Sequence, residues 1–225
     1  MDDQFIKSVV FDWDKVDDDS YVKKIEGFRG IDKLKFNKSI TFFVGENVSG
    51  KSTLLEALAV AHGFNPEGGT KNYDFSTYDN HSELCDAIKI QKSHRKERWG
   101  YFLRAESFYN VATQEEEYAD AEHPSEKYHE RSHGESFLAL AQKHLQPNSL
   151  YFFDEPEAAL SPQRQLTLLM LIYRCAQAGS QFFIVTHSPI LLGIPDADIY
   201  CFDCGSIHLC EYEAVSYTHL RAHET

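Results

Sequence analysis

One segment of eight residues restricts the possible fold of this chain more than any other. Residues 45–52 read Gly-Glu-Asn-Val-Ser-Gly-Lys-Ser and match G-x-x-x-x-G-K-[ST]. The stretch before them, 39–44, is rich in β-branched and aromatic residues, which predicts a strand. After them, apolar residues recur at helical spacing over 51–62. A glycine-bounded loop between a strand and a helix presents backbone amides to phosphate groups, so the segment predicts an α/β fold with a phosphate-binding loop.

The residue types in this loop suit a nucleotide that carries a magnesium ion. Lys51 is placed to reach the β- and γ-phosphates, and the hydroxyl of Ser52 can ligate Mg²⁺. We therefore expect ATP and Mg²⁺ as cofactors. The residues expected to contact the nucleotide are Gly45, Glu46, Asn47, Val48, Ser49, Gly50, Lys51, Ser52 and Thr53.

A second apolar strand is predicted at 149–153, and it runs directly into Asp154 and Glu155. An apolar strand that ends in two acids is by itself more often structural, but the phosphate-binding loop favours a catalytic interpretation here. Asp154 is expected to hold Mg²⁺ through water. Glu155 is expected to be the general base that orients or deprotonates the attacking water.

Strands and helices alternate along the rest of the chain. Such alternation implies a largely parallel sheet with both faces covered. The polar stretches 64–97 and 112–131 predict a small, partly helical lobe. The other predicted elements are strands at 8–13, 99–103 and 181–186, a helix from 161 to about 178, and a terminal hairpin of 199–202 with 207–212.

Five motifs in a fixed order resemble those of the ATP-binding-cassette (ABC) ATPases, a group of P-loop NTPases, and in particular the compact heads of chromosome-maintenance and DNA-repair ATPases. The loop at 45–52 resembles Walker A, and the strand ending in Asp154 resembles Walker B. Residues 131–135 resemble the signature L-S-G-G-Q, with Ser132, Gly134 and Glu135 matching in type. In that family the signature of one subunit closes over the γ-phosphate held by the other, so the resemblance implies an ATP-sandwich homodimer.

Two further motifs complete the resemblance. Residues 157–161 resemble the D-loop that crosses the dimer interface. His187, at the end of a predicted strand, resembles the switch histidine that senses the γ-phosphate and steadies the water. The resemblance implies an ABC-type nucleotide-binding domain with a mainly parallel central sheet, an antiparallel β subdomain and a small helical signature lobe.

Some positions depart from the family pattern. Arg131 and His133 replace the signature Leu and the first signature Gly, which could alter how the sandwich closes. Val48 stands where the family usually has Gly. A β-branched residue is costly there if the backbone needs a positive φ, and two interpretations stay open: weaker nucleotide binding, or a one-base change from a glycine codon.

The glutamine of the Q-loop and the aromatic residue that stacks on adenine have no clear equivalents. Glu106 or Gln114 could take the place of the glutamine after the strand at 99–103. Tyr21 or Phe28 could supply the adenine-stacking ring.

Composition limits the classes of protein to consider. No apolar run approaches the roughly 18 to 20 residues that cross a bilayer, and the first residues do not form a secretory signal, so we expect a cytoplasmic protein. The net charge of −13 disfavours non-specific binding to nucleic acid, and the basic run 92–98 is expected to be a solvated face. The five cysteines are expected to be reduced. A zinc site is not expected at the Cys/His group Cys201, Cys204, His208 and Cys210, because its spacing fits no common finger.

The chain is expected to form one ATPase domain over residues 1–213, with its variable helical lobe and signature at about 64–148. Residues 214–225 resemble a translated transposase adapter from sequencing libraries, and they are left out of the fold prediction as an expected artefact.

The leading hypothesis for function is ATP hydrolysis by a dimer that is coupled, through an unidentified protein partner, to an unknown process. The alternative is a non-hydrolysing, ATP-gated dimerisation module. A phosphotransferase is less favoured because no acceptor-pocket or lid motif is apparent. Nucleic-acid binding rests on the family resemblance alone.

Overall fold

A computed structural model describes residues 4–71, 82–104, 133–158, 160–203 and 205–215 of the chain. Two β-sheets organise these residues, and helices pack between and beside them. None of the helices in these ranges combines the length and the hydropathy that a bilayer crossing requires.

The strands and helices are numbered in chain order. The strands are β1 Ile6–Phe11, β2 Lys33–Lys35, β3 Ile40–Val44, β4 Ile88–Lys92, β5 Trp99–Arg104, β6 Ser149–Asp154, β7 Gln181–Val185, β8 Asp198–Cys201 and β9 His208–Leu209. The α-helices are α1 Tyr21–Lys24, α2 Lys51–His62, α3 Leu84–Ala87, α4 His133–His144, α5 Pro162–Gln177 and α6 Pro189–Leu192.

The larger sheet has six strands in the order β5-β6-β7-β3-β8-β9. Its first five strands are parallel, and β9 pairs antiparallel with β8 as the predicted terminal hairpin. Every residue of β3 and β7 is buried, which is typical of central parallel strands covered on both faces. Because parallel strands all end at one edge, the loops after β3, β6 and β7 lie close together there.

The smaller sheet is antiparallel and has the order β2-β1-β4. Its first strand begins and ends two residues earlier than predicted, because residues 13–15 form a 3₁₀ turn in which the indole of Trp13 donates a hydrogen bond to the carbonyl of Ile31. Strand β4 lies in the stretch 64–97, which is part of the predicted, partly helical lobe. Its side chains are mostly polar because only one face of this sheet is buried.

The core has two parts, one on each face of the parallel sheet. On one side, α2 packs between the two sheets and contacts β4, β6 and β7. On the other side, α4, α5 and α6 cover the sheet. The resulting α/β architecture, with a mainly parallel sheet and a separate antiparallel sheet, confirms the predicted fold class.

Candidate active site

The loop between β3 and α2 has the backbone geometry of a phosphate-binding loop. Gly45 and Gly50 have φ angles of 142° and 98°, which L side chains rarely adopt. A Cβ atom on Gly45 would lie 2.8 Å from an oxygen of Asp203, and one on Gly50 would lie 2.8 Å from Cγ2 of Ile25. Both glycines are therefore needed for their conformation and for the close packing around them.

Val48 lies between these glycines and has an unusual backbone. Its φ is 66°, in the left-handed region, and its side chain is 95% exposed. A β-branched residue is strained in this region by about 1 kcal/mol or more. The backbone at position 48 therefore has the positive φ that makes a valine unfavourable there.

Lys51 begins α2 and points back over the loop. Its side chain is buried, and Nζ donates hydrogen bonds to the carbonyls of Gly45 at 2.9 Å and Glu46 at 2.5 Å. Burial lowers the pKa of the Lys51 ammonium, and the carboxylates of Glu155 and Asp203 oppose this shift. The ammonium is held at the amino end of the helix, where an anion is favoured.

Ser52 and Asp154 meet in the structure as a metal-binding pair would. The hydroxyl of Ser52 donates a hydrogen bond of 2.8 Å to Oδ1 of Asp154. Such oxygen ligands suit Mg²⁺, which usually keeps only one or two protein ligands and binds phosphate oxygens as well. Within the described ranges no three or more His, Cys, Asp or Glu side chains cluster as a metal site.

Glu155 and His187 face each other at the same edge of the sheet. Nε2 of His187 lies 3.6 Å from Oε1 of Glu155, which is too long for a hydrogen bond. That nitrogen is buried and has no hydrogen-bond partner. The two side chains as wholes are partly exposed, at 33% for His187 and 45% for Glu155.

Backbone contacts fix the positions of these two residues. The amide of Glu155, whose φ is 47°, donates to the carbonyl of Val185, and the amide of His187 donates to a carboxylate oxygen of Glu157 at 2.5 Å. The hydroxyl of Ser188 caps the following helix, α6, by accepting from its first amides. The D-loop candidate Glu157 is thus tied to the segment that carries His187.

The remaining predicted residues belong to the signature, the Q-loop, the D-loop and the Cys/His group. Gly134 and Glu135 lie in the first turn of α4, which begins directly after the signature serine. The other candidates, namely Glu106, Gln114, Arg131, Ser132, Ala159 and Cys204, lie outside the described residues.

A cavity of about 560 Å³ opens beside the phosphate-binding loop. Its walls include Tyr21, Lys24 and Phe202 as well as residues 46–49 of the loop. Tyr21 is exposed and borders the cavity, whereas Phe28 is buried in the core against Phe202. Of the two rings considered for adenine stacking, only Tyr21 is accessible.

Sequence reasoning missed two charged residues near this edge of the sheet. Asp203 accepts a hydrogen bond from the amide of Glu46 at 2.8 Å. Arg104 is paired in register with Asp154 and forms an ion pair of 2.9 Å with Glu56, one helical turn after Ser52. Asp203 and Arg104 belong to no motif. The sequence indicates them only by their position, because each stands at or just after the carboxyl end of a parallel strand.

Family comparisons place the chain among ATPases. The family described as "AAA ATPase domain" matches residues 23–136, which include the phosphate-binding loop. A second family, described as "AAA domain, putative AbiEii toxin, Type IV TA system", matches residues 135–193, which include Asp154, Glu155 and His187. No curated protein matches the chain.

Solved structures with a similar fold are ATPase domains. An ATP-binding cassette of an ABC transporter, in its ADP conformation, is 18% identical, with 95% of this chain and 94% of that one covered and a TM-score of 0.52. The SMC head domain from Thermotoga maritima is 13% identical, with 92% and 98% covered and a TM-score of 0.49. The first of these likenesses shows the fold. Because the AAA ATPase domain family spans 114 of the 225 residues, the chain belongs to that family.

Proposed function

We propose that this chain binds ATP with Mg²⁺ at the loop 45–52 and hydrolyses it within an ATP-sandwich homodimer. The observation that carries the proposal is the meeting of two pairs at one edge of the sheet. Ser52 touches Asp154 at 2.8 Å, and Glu155 lies 3.6 Å from His187. A metal-binding pair beside a base and a polar sensor is the arrangement that phosphoryl transfer to water requires.

Each residue has a role in this scheme. The ammonium of Lys51 exchanges its hydrogen bonds to loop carbonyls for bonds to phosphate oxygens, which are charged and therefore stronger acceptors. Ser52 and Asp154 would hold the cation, whose chemistry when bound is to neutralise charge on the phosphate oxygens.

The other pair acts on the water. Glu155 accepts a proton from the attacking water as general base. His187 has a buried, unpartnered Nε2 that can bond to the γ-phosphate or to the water between it and Glu155.

The dimer is supported by the signature residues. Gly134 and Glu135 lie in the first turn of α4, whereas Ser52, Asp154, Glu155 and His187 are brought together by β3, β6, β7 and the start of α2. The family resemblance assigns these signature residues, with Ser132, to the nucleotide bound by the second subunit. Two identical subunits would then complete two sites with one symmetric interface.

The test uses Glu155→Gln, which keeps the shape of the side chain and removes the base. We expect phosphate release to fall at least about 100-fold, in the range found for loss of a general base. ATP binding and the ATP-dependent dimer, measured by light scattering after size exclusion, should persist. Glu211→Gln makes the same change at an exposed residue and should behave as wild type. Undiminished phosphate release by Glu155→Gln would remove Glu155 from the mechanism.

A non-hydrolysing, ATP-gated dimerisation module is the second candidate. Val48 favours it, because its left-handed backbone is strained for a β-branched residue, and a change at this position of the loop can alter how the nucleotide is aligned for reaction. This module would form the dimer with ATP, and its phosphate release would not differ between wild type and Glu155→Gln. In either case, the dimer trapped by Glu155→Gln with ATP is the form in which to capture the protein partner or test nucleic-acid binding.

A further inference from the structure

A carboxylate outside every motif of the site is in direct contact with the phosphate-binding loop. Asp203 follows β8, the strand that pairs in parallel with β3. The pairing continues past the strand ends, because the amide of Phe202 donates to the carbonyl of Val44 at 2.9 Å. The next residue, Asp203, is thereby placed beside Gly45 and Glu46, the first two residues of the loop.

The contact is specific in both partners. Oδ1 of Asp203 accepts a hydrogen bond of 2.8 Å from the amide of Glu46. The same oxygen lies 2.8 Å from the position that a Cβ atom on Gly45 would take, so only glycine leaves room for this approach. The other oxygen, Oδ2, accepts from the thiol of Cys201 at 3.4 Å. Both oxygens therefore have donors, and the carboxylate is held in one orientation.

The first turn of the loop also contains the two carbonyl groups that accept hydrogen bonds from Lys51. Nζ of Lys51 bonds to the carbonyls of Gly45 and Glu46, and these two residues are the ones that Asp203 contacts. A shift of this turn would move both carbonyls and with them the ammonium. Asp203 also lines the 560 Å³ cavity beside the loop.

We propose that Asp203 is a positioning residue for ATP binding: its carboxylate fixes the first turn of the phosphate-binding loop, and so the ammonium of Lys51, before the nucleotide arrives. The inference rests on the proposed function, since it takes ATP as the ligand of the loop. It adds Asp203, which follows β8, to the residues that determine nucleotide affinity.

The test compares Asp203→Ala, which removes the carboxylate, with Asp203→Asn, whose amide oxygen can still accept from Glu46. Asp198 provides a matched control, because it lies on the same strand and also accepts a backbone hydrogen bond, from the amide of Asn37 at 3.0 Å. Asp198 stands at the opposite end of the strand from the loop. Lys51→Ala serves as the variant that removes phosphate binding.

Two measurements are made on these variants. Binding of a fluorescent ATP analogue and steady-state kinetics give the affinity, KM and kcat. Hydrogen exchange of the peptide covering 45–52, without nucleotide, reports the order of the loop directly and does not depend on ATP binding.

We expect Asp203→Ala to weaken binding and raise KM about tenfold, equivalent to about 1.4 kcal/mol, and to leave kcat within about twofold, since a fixed loop serves the bound substrate and the transition state alike. Exchange in 45–52 should become faster. Asp203→Asn should recover most of the affinity, and Asp198→Ala should match wild type. If Asp203→Ala does not fold, Asp203→Asn is compared with wild type and with Asp198→Asn instead. We then expect Asp203→Asn to bind ATP somewhat more weakly than both and to exchange somewhat faster in 45–52.

Three results would overturn the proposal. Wild-type exchange and affinity in Asp203→Ala would show that the contact positions nothing. Tighter binding would show that the carboxylate competes with the nucleotide. An equal loss in Asp198→Ala would show a general effect on the strand. If the wild type itself does not bind the analogue better than Lys51→Ala, the proposed function fails instead, and the exchange data still test the contact.

Discussion

Val48 is the residue at which local conformation and side-chain type disagree most. Its φ of 66° suits glycine, and its exposed side chain has no packing that offsets the strain. Replacing it with glycine should therefore lower the strain without loss of contacts. Part of this gain is offset because glycine increases the entropy of the unfolded chain.

We expect Val48→Gly to raise the free energy of unfolding by about 0.5 kcal/mol and to tighten ATP binding several-fold. Thermal unfolding with and without ATP measures both. Val48→Ala is the matched control, because it removes the β-branch and keeps a Cβ atom, so it should fall between the two. A Val48→Gly variant with unchanged affinity would mean that the strained valine is compatible with full nucleotide binding.

A buried histidine provides a second prediction at the scale of single residues. His62 at the end of α2 lies 2.9 Å from Glu97, and its Nδ1 has no partner. Burial lowers the pKa of His62 from its ordinary value of 6.5. A hydrogen bond from His62 and another from Lys71 lower the pKa of Glu97 well below its usual range. A neutral imidazole with its proton on Nε2 donates to Glu97 and leaves Nδ1 without a proton, which fits both observations on the ring.

Both shifts make the fold less stable in acid. As the pH falls below about 6.5, the unfolded chain takes up a proton at this histidine that the folded chain resists, so the free energy of unfolding falls. At lower pH the contribution of Glu97 is lost as well. We expect the Tm to drop between pH 7.5 and 5.5, and to drop less in His62→Gln, which keeps a donor for Glu97. An unchanged pH dependence in this variant would exclude His62 as the cause.

At the scale of elements, the side chain of Gln181 connects the two sheets through hydrogen bonds. It begins β7 in the parallel sheet, is fully buried, and accepts from the amides of Phe5 and Ile6 at 2.8 and 2.9 Å. Its own amide donates to the carbonyl of Ile6 at 2.9 Å. One side chain thus satisfies three backbone groups near the start of β1, in the other sheet.

We expect Gln181→Ala to lower the free energy of unfolding by about 3 kcal/mol or more, because three buried backbone groups lose their partner and each costs about 1 to 3 kcal/mol. Urea unfolding measures the loss. Gln177→Ala, at an exposed position near the end of α5, should change stability little. A loss below about 1 kcal/mol for Gln181→Ala would indicate that water replaces the side chain.

Element prediction from sequence succeeded where one physical signal was strong. The buried strands β3, β6 and β7 and the helix α2 were located within one or two residues, because long apolar runs and a glycine stop define them. Strand β4 was missed because its residues, Ile-Lys-Ile-Gln-Lys, are mostly polar and its pairing with β1 is formed across more than 70 residues. Helix α5 begins at Pro162, one residue after the predicted start, and the side chain of Ser161 makes no capping hydrogen bond.

The site was predictable to the extent that its residues belong to contiguous motifs. The contact between Ser52 and Asp154 could be anticipated because each stands at a defined place after a strand. Asp203 and Arg104 could not, because their roles depend on which strands are neighbours, and the order β5-β6-β7-β3-β8 is a property of the whole sheet.

At the scale of the whole molecule, the proposed dimer predicts that two inactive variants regain activity when they are mixed. Lys51→Ala removes one half of each composite site, and Gly134→Asp disrupts the other half at the first turn of α4. Each variant alone should be inactive. In a mixed dimer, both changes fall in the same site, and the other site is intact.

An equimolar mixture should therefore recover about a quarter of wild-type phosphate release, since half of the dimers are mixed and each has one working site of two. Mixing Lys51→Ala with Lys51→Ala plus Gly134→Asp leaves no intact site and is the control. If the two single variants give no recovery although light scattering shows mixed dimers, the sites are not shared between subunits or must act together.

The bonds of Lys51 to the loop carbonyls have a consequence for the kind of ligand that the loop can bind. The ammonium already has partners in Gly45 and Glu46, so an incoming group gains only the difference between its own attraction and theirs. A hydroxyl or a neutral carbonyl gains almost nothing by this exchange, whereas a charged phosphate oxygen gains substantially. The charge of the ligand therefore affects its affinity for the loop independently of its shape. Nucleosides and sugars without phosphate should bind the loop only weakly.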